Sequence, residues 1–378
     1  MRTYLCSKCG KTYSITDRRF RCDCGGPFEL KKEITLSREK ISQRPPTMWR
    51  YREVIPIEVD KNIVTLGEGM TPLVDFKYKG LKLLAKLDYL SPTGSFKDRG
   101  ASVLISYLKE IGVDRFIEDS SGNAGAAAAA YAAKAGLKCE IFCPDYASIG
   151  KVNQVLWYGA KLRRISGSRA DTAKAVLEEA EETYYASHNW SPFYLEGLKT
   201  IAYEIVEQLG WKVPDVVVAP LGYGGLFTGL FIGFTELRQF GVVDRIPKLL
   251  GVQSQMCCPV YRAYQQNDAV ITPMEQIAST LAEGVCATQP IHAELVMKAI
   301  RESGGAVTVV SEDEIVEGLR ILSSQGIFVE PTSAIVVKAI DHFLTSGKIT
   351  SEDNIVTILT GIGLKAANEL KKFVENME

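Results

Sequence analysis

The chain has 378 residues, 46% of them hydrophobic, and its 44 Lys and Arg side chains nearly balance 45 Asp and Glu. This balance argues against an electrostatic surface for nucleic acid or for an anionic membrane. The first residues lack a long apolar run, and no stretch approaches the roughly 20 apolar residues that span a bilayer. The sequence therefore predicts a soluble, cytoplasmic protein of about two domains with a sizeable core.

The first 32 residues contain four of the nine cysteines: Cys6, Cys9, Cys22 and Cys24. They form a C-x2-C turn, a spacer of twelve residues and a C-x-C turn. A segment this short needs a staple, and four thiolates can hold Zn²⁺ tetrahedrally, whereas disulfides are not expected without a secretory signal. We predict a zinc-ribbon-like segment over residues 1–32 with a structural zinc. The alternative is a degenerate ribbon that folds only against the rest of the chain. A nucleic-acid role for it is disfavoured by the balanced charge.

Residues 33–66 include a charged, proline-bearing stretch (37–56) that is typical of a linker or of an arm packed across the body. From about residue 67, short apolar runs alternate with helical patterns. A strand near Phe116 leads through a turn to an Ala-rich helix over residues 124–135, which ends at Gly136, and a strand follows over 139–143. Further strands are predicted at 216–219, 248–255 and 355–359. This alternation predicts an α/β fold with mainly parallel sheets.

Three loops directly follow predicted strands, where ligands bind in such folds. In the loop PLGYGGL, Gly222, Gly224 and Gly225 precede a helix whose first N–H groups can hold a phosphate, although the spacing matches neither the Walker nor the dinucleotide motif. In SSGNAG, Asn123 either caps the following helix or reaches a ligand. In LTGIG, Thr360 either satisfies a backbone group at the strand end or meets a ligand.

Lys97 lies in the stretch SPTGSFKDRG, where it is either a surface lysine at a helix start or a lysine presented to a cofactor. The three histidines, His188, His292 and His342, form no triad-like pattern. An enzyme with this sequence would therefore rely on a lysine. A lysine that forms a Schiff base acts first as a covalent anchor and then as a base, and pyridoxal phosphate is the cofactor that uses it in this way.

The motifs SPTGSFKDRG, SSGNAGAAAAAYAAKAG, LGYGG, EPTSA and LTGIGLK occur in the order typical of threonine synthases. From about residue 67 to Lys365 the chain resembles this family, which belongs to the tryptophan-synthase-β-like class of pyridoxal phosphate enzymes. The resemblance implies a catalytic body over residues 67–378 with two mainly parallel α/β subdomains. The smaller subdomain would span roughly 100–200 and the larger one the remainder. An N-terminal cysteine ribbon is also found in some threonine synthases, and the resemblance further implies a homodimer.

The resemblance assigns a role to each loop. Lys97 is implied as the catalytic lysine bonded to the cofactor aldehyde, Asn123 as the partner of the ring hydroxyl, and Thr360 as the partner of the ring nitrogen. A neutral hydroxyl at that nitrogen favours elimination and replacement over transamination. The residues implied around the cofactor phosphate are Gly222, Tyr223, Gly224, Gly225 and Leu226. The predicted substrate-contacting residues are Ser121, Gly122, Ala124, His188, Asn189 and Tyr194.

The segment that should hold the substrate's phosphate departs from the family pattern. Where that pattern resembles NSxNPxRxxGQKT, this chain has HNWSPFYLEGLKT over residues 188–200. The positions that lose a polar family residue are Tyr194 (for arginine), Leu198 (for glutamine), Ser191 (for asparagine), Tyr223 and Leu226 (for asparagines of the glycine loop) and Ile362 (for the histidine of TGHG). A phosphate dianion requires cations and donors, and Lys199 and Asn189 are the remaining candidates to supply them.

We therefore predict a pyridoxal phosphate-dependent lyase or β- or γ-replacing enzyme of amino-acid biosynthesis that acts on a small amino acid. Threonine synthase remains the most readily named activity. The altered pocket also favours a serine/threonine ammonia-lyase or a cysteine- or cysteate-synthase-like replacement. A rival from a different class is a catalytically inactive binding module that has kept the fold.

Overall fold

The computed structural model describes residues 2–147, 149–167, 169–268, 270–275 and 278–374. The strands are β1 (Thr3–Cys6), β2 (Thr12–Ser14), β3 (Phe28–Lys31), β4 (Leu73–Asp75), β5 (Lys82–Leu87), β6 (Arg115–Glu118), β7 (Lys138–Pro144), β8 (Lys161–Ile165), β9 (Tyr184–Tyr185), β10 (Val216–Pro220), β11 (Lys248–Ser254), β12 (Ala306–Val310) and β13 (Asn354–Leu359). The helices are α1 (Arg38–Ser42), α2 (Lys97–Glu110), α3 (Asn123–Ala135), α4 (Ile149–Trp157), α5 (Arg169–Glu179), α6 (Pro192–Leu198), α7 (Thr200–Gln208), α8 (Gly225–Gln239), α9 (Pro259–Gln266), α10 (Ala293–Glu302), α11 (Glu312–Ser323), α12 (Pro331–Thr345) and α13 (Ala367–Val374). Within the described ranges, none of these helices has the length and apolar character needed to cross a membrane.

The chain divides into two compact units. The first unit comprises Met1–Gly69 and Lys97–Leu198, and the second comprises Met70–Phe96 and Lys199–Glu378. Lys97 is therefore the residue at which the chain enters the first unit for the second time.

The first unit contains a four-stranded parallel sheet in the order β8-β7-β6-β9. The helix α3 packs on β7 and on α2, and its alanines permit this close approach because they add little bulk. The helix ends where Gly136 adopts φ 72° and donates its N–H to carbonyls of the last turn. The predicted helix over 124–135 and the predicted strand over 139–143 are confirmed.

The N-terminal residues of the first unit form an antiparallel sheet in the order β2-β1-β3. The ring of Tyr4 stacks on Phe28 with centroids 4.9 Å apart, and its hydroxyl lies 2.7 Å from the hydroxyl of Tyr107 on α2. The stretch over residues 37–56 also packs closely, because the indole of Trp49 is buried and donates to Ser102 Oγ at 3.0 Å. This contact joins the stretch to α2.

The second unit contains a six-stranded sheet in the order β12-β11-β10-β13-β5-β4, in which only the edge strand β4 is antiparallel. All five residues of β10 are buried, as expected for a parallel strand covered on both faces. The predicted strands at 216–219, 248–255 and 355–359 are confirmed to within one residue at each end. Because β10 and β13 are parallel neighbours, the loops that follow them leave the same edge of this sheet. The prediction of an α/β fold with mainly parallel sheets is confirmed.

Candidate active site

Lys97 is the first residue of α2, and the residues before it belong to the second unit. Ser95 forms an isolated bridge with Gly361, and the Phe96 N–H donates to the Thr360 carbonyl at 2.9 Å. The two residues that precede Lys97 are thus fixed by backbone pairing with the loop that follows β13.

Tyr194 lies beside Lys97 in the first unit. Its ring centroid lies 5.9 Å from Lys97 Nζ, and its hydroxyl donates to the Lys97 carbonyl at 2.9 Å. Two glycines permit this contact, since a Cβ on Gly100 would lie 2.3 Å from the Tyr194 ring and a Cβ on Gly197 would lie 2.0 Å from the Arg99 carbonyl oxygen. The close approach of α6 to α2 therefore places Tyr194 beside Lys97.

The turn between β6 and α3 and the first two residues of α3 carry four of the predicted ligand-binding residues. Gly122 is the N-cap of α3, and its N–H donates to Ser120 Oγ at 3.3 Å. Asn123 is already the first helical residue, so its interpretation as the N-cap is wrong. Ser121, Gly122, Asn123 and Ala124 follow one another here, at the carboxyl end of a parallel strand, where ligands bind in α/β proteins.

A buried carboxyl group lies at the end of β6. Glu118 is 1% exposed, and both of its oxygens face His188: Oε1 lies 2.5 Å from His188 Nδ1, and Oε2 accepts the His188 N–H at 3.2 Å. Burial raises the pKa of Glu118 to about 8, against the opposing effects of the His188 N–H and the charge of Lys97. The His188 ring lies 5.9 Å from the Tyr194 ring. This pair therefore adjoins Lys97 and Tyr194.

His188 is among the substrate residues predicted from the sequence, whereas Glu118 is not. The available signal was an acidic residue at the end of a buried strand, directly before the SSGNAG turn. Asn189 follows His188 and is half-buried, with its N–H donated to Ser187 Oγ at 3.3 Å.

The glycine loop after β10 has the geometry of an anion site. Gly224, the N-cap of α8, adopts φ 93° and has no side chain to cap the first turn of the helix, which begins at Gly225. A Cβ on Gly222 would lie 2.7 Å from the Gly284 carbonyl oxygen, so the loop accepts no side chain there without a shift. The first N–H groups of α8 are thus suited to a phosphate. Leu226, in contrast, is buried and apolar.

Thr360 is buried at the end of β13 and is held by Ser333 on α12. Their hydroxyl oxygens lie 2.9 Å apart, and Ser333 Oγ also accepts the N–H groups of Thr360 and Gly361 at 2.9 Å each. Ser333 thereby orients the Thr360 hydroxyl. Sequence reasoning did not single out Ser333, although it lies in the EPTSA motif.

Lys199 does not supply the missing charge of the altered phosphate segment. It is fully buried, and its Nζ lies 2.8 Å from Glu236 Oε2, which also accepts the Tyr203 hydroxyl at 2.8 Å. Its positive charge is therefore compensated by Glu236, and the suggestion that it replaces the lost phosphate partners is wrong. Tyr194, at the position of the family arginine, is buried, and its pKa lies far above the usual value because of burial and the charges of Glu118 and Asp98. It stays a neutral phenol.

The four N-terminal cysteines form a compact cluster whose ligand atoms all lie within 4.8 Å of one another. Cys6 Sγ lies 3.5 Å from Cys24 Sγ, and Cys9 Sγ lies 3.6 Å from Cys22 Sγ. Thiolates around a tetrahedral zinc with bonds of about 2.3 Å stand roughly 3.8 Å apart. The chemistry and spacing of the cluster thus suit Zn²⁺.

Comparison with known proteins agrees with these features. A family profile for pyridoxal-phosphate dependent enzymes matches residues 64–361. The chain is 38% identical to a threonine synthase of Methanocaldococcus jannaschii over 95% of this chain and 92% of the relative. It is 36% identical to a threonine synthase of Methanosarcina acetivorans over 95% and 91%. The solved structure of processed threonine deaminase isoform 2 from Solanum lycopersicum has the same fold, with a TM-score of 0.71, 19% identity and 91% coverage of both chains.

The chain thus belongs to the family of pyridoxal-phosphate dependent enzymes. Within that family it is a threonine-synthase-like lyase, as its extended similarity to threonine synthases shows. The prediction of an enzyme that uses pyridoxal phosphate is therefore confirmed, and the rival of a binding module without catalysis is set aside.

Proposed function

We propose that pyridoxal phosphate is attached to Lys97, with Asn123 at its ring hydroxyl, Thr360 at its ring nitrogen, and its phosphate at the N-terminus of α8. The phosphate would contact Gly222, Tyr223, Gly224, Gly225 and Leu226. The first turn of α8 and the Ser333-oriented Thr360 hydroxyl support this assignment. Ser95, two positions before Lys97, also supports this assignment, because its buried Oγ has no hydrogen-bond partner among the described residues.

When bound, pyridoxal phosphate supplies the electron sink that acidifies the Cα–H bond of an amino acid joined to it. The Lys97 amine takes this proton. Tyr194 holds the Lys97 carbonyl and so fixes the backbone that carries the amine. The Thr360 hydroxyl offers a neutral partner to the ring nitrogen, which favours elimination and replacement.

The substrate we infer is a small amino acid with a β leaving group, such as serine, threonine or an O-activated serine. One observation carries this inference: Tyr194 fills the position of the family's phosphate-binding arginine, next to the carboxyl of Glu118. Losing an arginine–phosphate contact in a desolvated site costs about 2–5 kcal/mol, or roughly 30- to several-thousand-fold in binding. Ser121, Gly122, Ala124, His188 and Asn189 remain the proposed substrate contacts.

Threonine synthesis from O-phosphohomoserine is the second candidate function. The identities of 38% and 36% with threonine synthases over 95% of the chain favour it. It requires phosphate partners other than Tyr194 and Lys199.

Borohydride reduction of the purified holoenzyme tests the cofactor and the substrate together. We expect the reduced adduct on Lys97, which trypsin then fails to cleave, so the modified peptide spans residues 87–99. A substrate amine competes with Lys97 for the aldehyde. Saturating L-serine before reduction should therefore lower labelling of this peptide, and O-phosphohomoserine at the same concentration should lower it less. An adduct on another lysine would refute the cofactor assignment, and the opposite order of protection would refute the substrate assignment.

The zinc site is a separate proposal, supported by the spacing of the four thiols. Roughly one Zn²⁺ per chain should be bound by Cys6, Cys9, Cys22 and Cys24, and a Cys6→Ser/Cys22→Ser variant should lose it, as measured by elemental analysis. Cys139→Ser is the matched control, because that thiol is buried in β7 outside the cluster. Wild-type protein that stays metal-free when zinc is supplied would establish the degenerate ribbon instead.

A homodimer and a cytoplasmic location are proposed on the family resemblance and on the sequence composition. The boundaries at residues 32 and 66 likewise remain proposals for the ribbon and the arm.

A further inference from the structure

A hydroxyl group leaves carbon poorly unless it is protonated, whereas phosphate and chloride leave as stable anions. The proposed substrates serine and threonine carry a hydroxyl at Cβ. An enzyme that eliminates it therefore needs an acid, and a positioned general acid typically contributes ~100- to 10,000-fold in rate.

We propose that His188 is the acid that protonates the departing hydroxyl at Cβ, and that Glu118 is the positioning residue that orients His188 and shares a proton with it. This inference rests on the proposed function, because it concerns the leaving group of the same substrate.

The geometry supports a proton donor at this position. Glu118 holds His188 twice, at the ring Nδ1 (2.5 Å) and at the backbone N–H (3.2 Å), so the imidazole has one fixed orientation. The His188 side chain is 13% exposed, whereas that of Glu118 is 1% exposed. The histidine is therefore the member of the pair that a small molecule can reach. Tyr194 contacts both His188 and Lys97, so the proposed acid and the proposed base adjoin the same ring.

The charges around the pair favour a bound proton near neutral pH. Burial raises the pKa of Glu118 to about 8, so its carboxyl group can hold a proton near neutral pH. The distance of 2.5 Å between Glu118 Oε1 and His188 Nδ1 lets the two groups share this proton. The titratable groups that face the pair are Lys97, Asp119, Tyr185, Tyr194 and Cys139. Of these only Lys97 is a cation, and Asp119 favours retention of the proton.

The proposed step balances. The Lys97 amine takes the proton from Cα, and the electron pair of the Cα–H bond forms the Cα–Cβ double bond. The Cβ–O bond breaks, and its electron pair stays on oxygen. The oxygen takes a proton from His188 and leaves as water. No oxidant or reductant is required.

A change of leaving group distinguishes a role of His188 as a general acid from a purely structural role. Chloride needs no proton, so β-chloro-L-alanine bypasses the acid while it still needs Lys97. We expect His188→Asn, which installs the residue of the family pattern, to lower kcat for L-serine at least ~100-fold but kcat for β-chloro-L-alanine less than ~3-fold. Glu118→Gln should give the same selective loss. In wild type, kcat for L-serine should fall as the pair loses its proton on the alkaline side, and this limb should move to lower pH in Glu118→Gln.

His342 provides the matched control. Its Nε2 lies 2.6 Å from Glu314 Oε1 in the second unit, so His342→Asn removes a comparable histidine–glutamate pair. We expect this variant to leave kcat unchanged for both L-serine and β-chloro-L-alanine. A readout independent of turnover is the ¹⁵N spectrum of histidine-labelled holoenzyme without substrate. The His188 signal is assigned as the one missing from the spectrum of His188→Asn. We expect His188 Nδ1 to remain protonated to a higher pH in the wild-type protein than in Glu118→Gln.

The outcomes separate this inference from the proposed function. Suppose that the wild-type enzyme turns over β-chloro-L-alanine and that the variants lower kcat equally for this substrate and for L-serine. The acid role of His188 is then overturned, while the proposed class of β-substituted substrates stands. A His188 resonance that does not respond to Glu118→Gln overturns the positioning role of Glu118. If wild type processes only O-phosphohomoserine, the proposed function itself fails.

Discussion

Replacing Lys97 with alanine is expected to abolish turnover and to release the cofactor from covalent attachment. Loss of a positioned acid–base group alone lowers rates by ~100- to 10,000-fold, and loss of the covalent anchor adds to this. The folded structure should persist, because Lys97 opens α2 and its removal leaves the Tyr194 hydroxyl bonded to the backbone carbonyl at the same position. The measurements are kcat with the preferred amino acid and the visible absorbance of the cofactor after desalting.

Lys109→Ala is the control for this experiment. Lys109 lies in the last turn of the same helix and is exposed, so its removal takes a positive charge from α2 without touching the proposed site. It should keep full turnover and cofactor. A Lys97→Ala protein that retains wild-type turnover would contradict the assignment of the catalytic lysine.

Removing Glu204 is expected to produce the largest loss of stability. Lys86 on β5 and Glu204 on α7 are both fully buried, with Nζ 2.8 Å from Oε2. Lys86 Nζ also donates to the Thr71 carbonyl at 2.7 Å and to Gln208 Oε1 at 2.9 Å. Glu204→Leu leaves a buried ammonium without its counter-charge, which costs about 3–5 kcal/mol. The free energy of unfolding, measured with urea, checks this expectation.

Glu317→Leu is the matched control, because its ion pair with Lys338 (2.9 Å) is more than half exposed on the glutamate side. Such a pair contributes about 0–1 kcal/mol. The double variant Lys86→Met/Glu204→Leu removes both buried charges and should recover most of the lost stability. Equal, small losses for Glu204→Leu and Glu317→Leu would show that the buried pair is not the stabilising contact that its geometry indicates.

The local features of the fold were predictable because they depend on short-range chemistry. An apolar run near Phe116 predicted the position of β6, and the Ala-rich stretch ending at Gly136 and the apolar run after it predicted α3 and β7 to within one residue at each end. The strands β10, β11 and β13 were predictable for a similar reason, because buried parallel strands form continuous apolar runs.

The contacts that build the site were less predictable because they join distant parts of the sequence. Glu118 and His188 are 70 residues apart, and Ser333 and Thr360 are 27 apart. Each pair depends on the order of strands and helices, which periodicity does not give. The pairing of Lys199 was unpredictable for the same reason: its partner Glu236 lies on the next helix, and a lysine in a polar motif gives no sign of such a pairing.

We propose that this threonine-synthase-like enzyme acts on a β-substituted amino acid through Lys97, in a pocket that has lost its affinity for a phosphorylated substrate. The most direct measurement is kcat/KM, side by side, for O-phosphohomoserine and for a panel of L-serine, L-threonine and O-acetyl-L-serine. We expect at least one member of the panel to exceed O-phosphohomoserine by roughly 30-fold or more, the lower end of what a lost arginine–phosphate contact costs. Efficient formation of threonine from O-phosphohomoserine, with the whole panel inert, would contradict the claim.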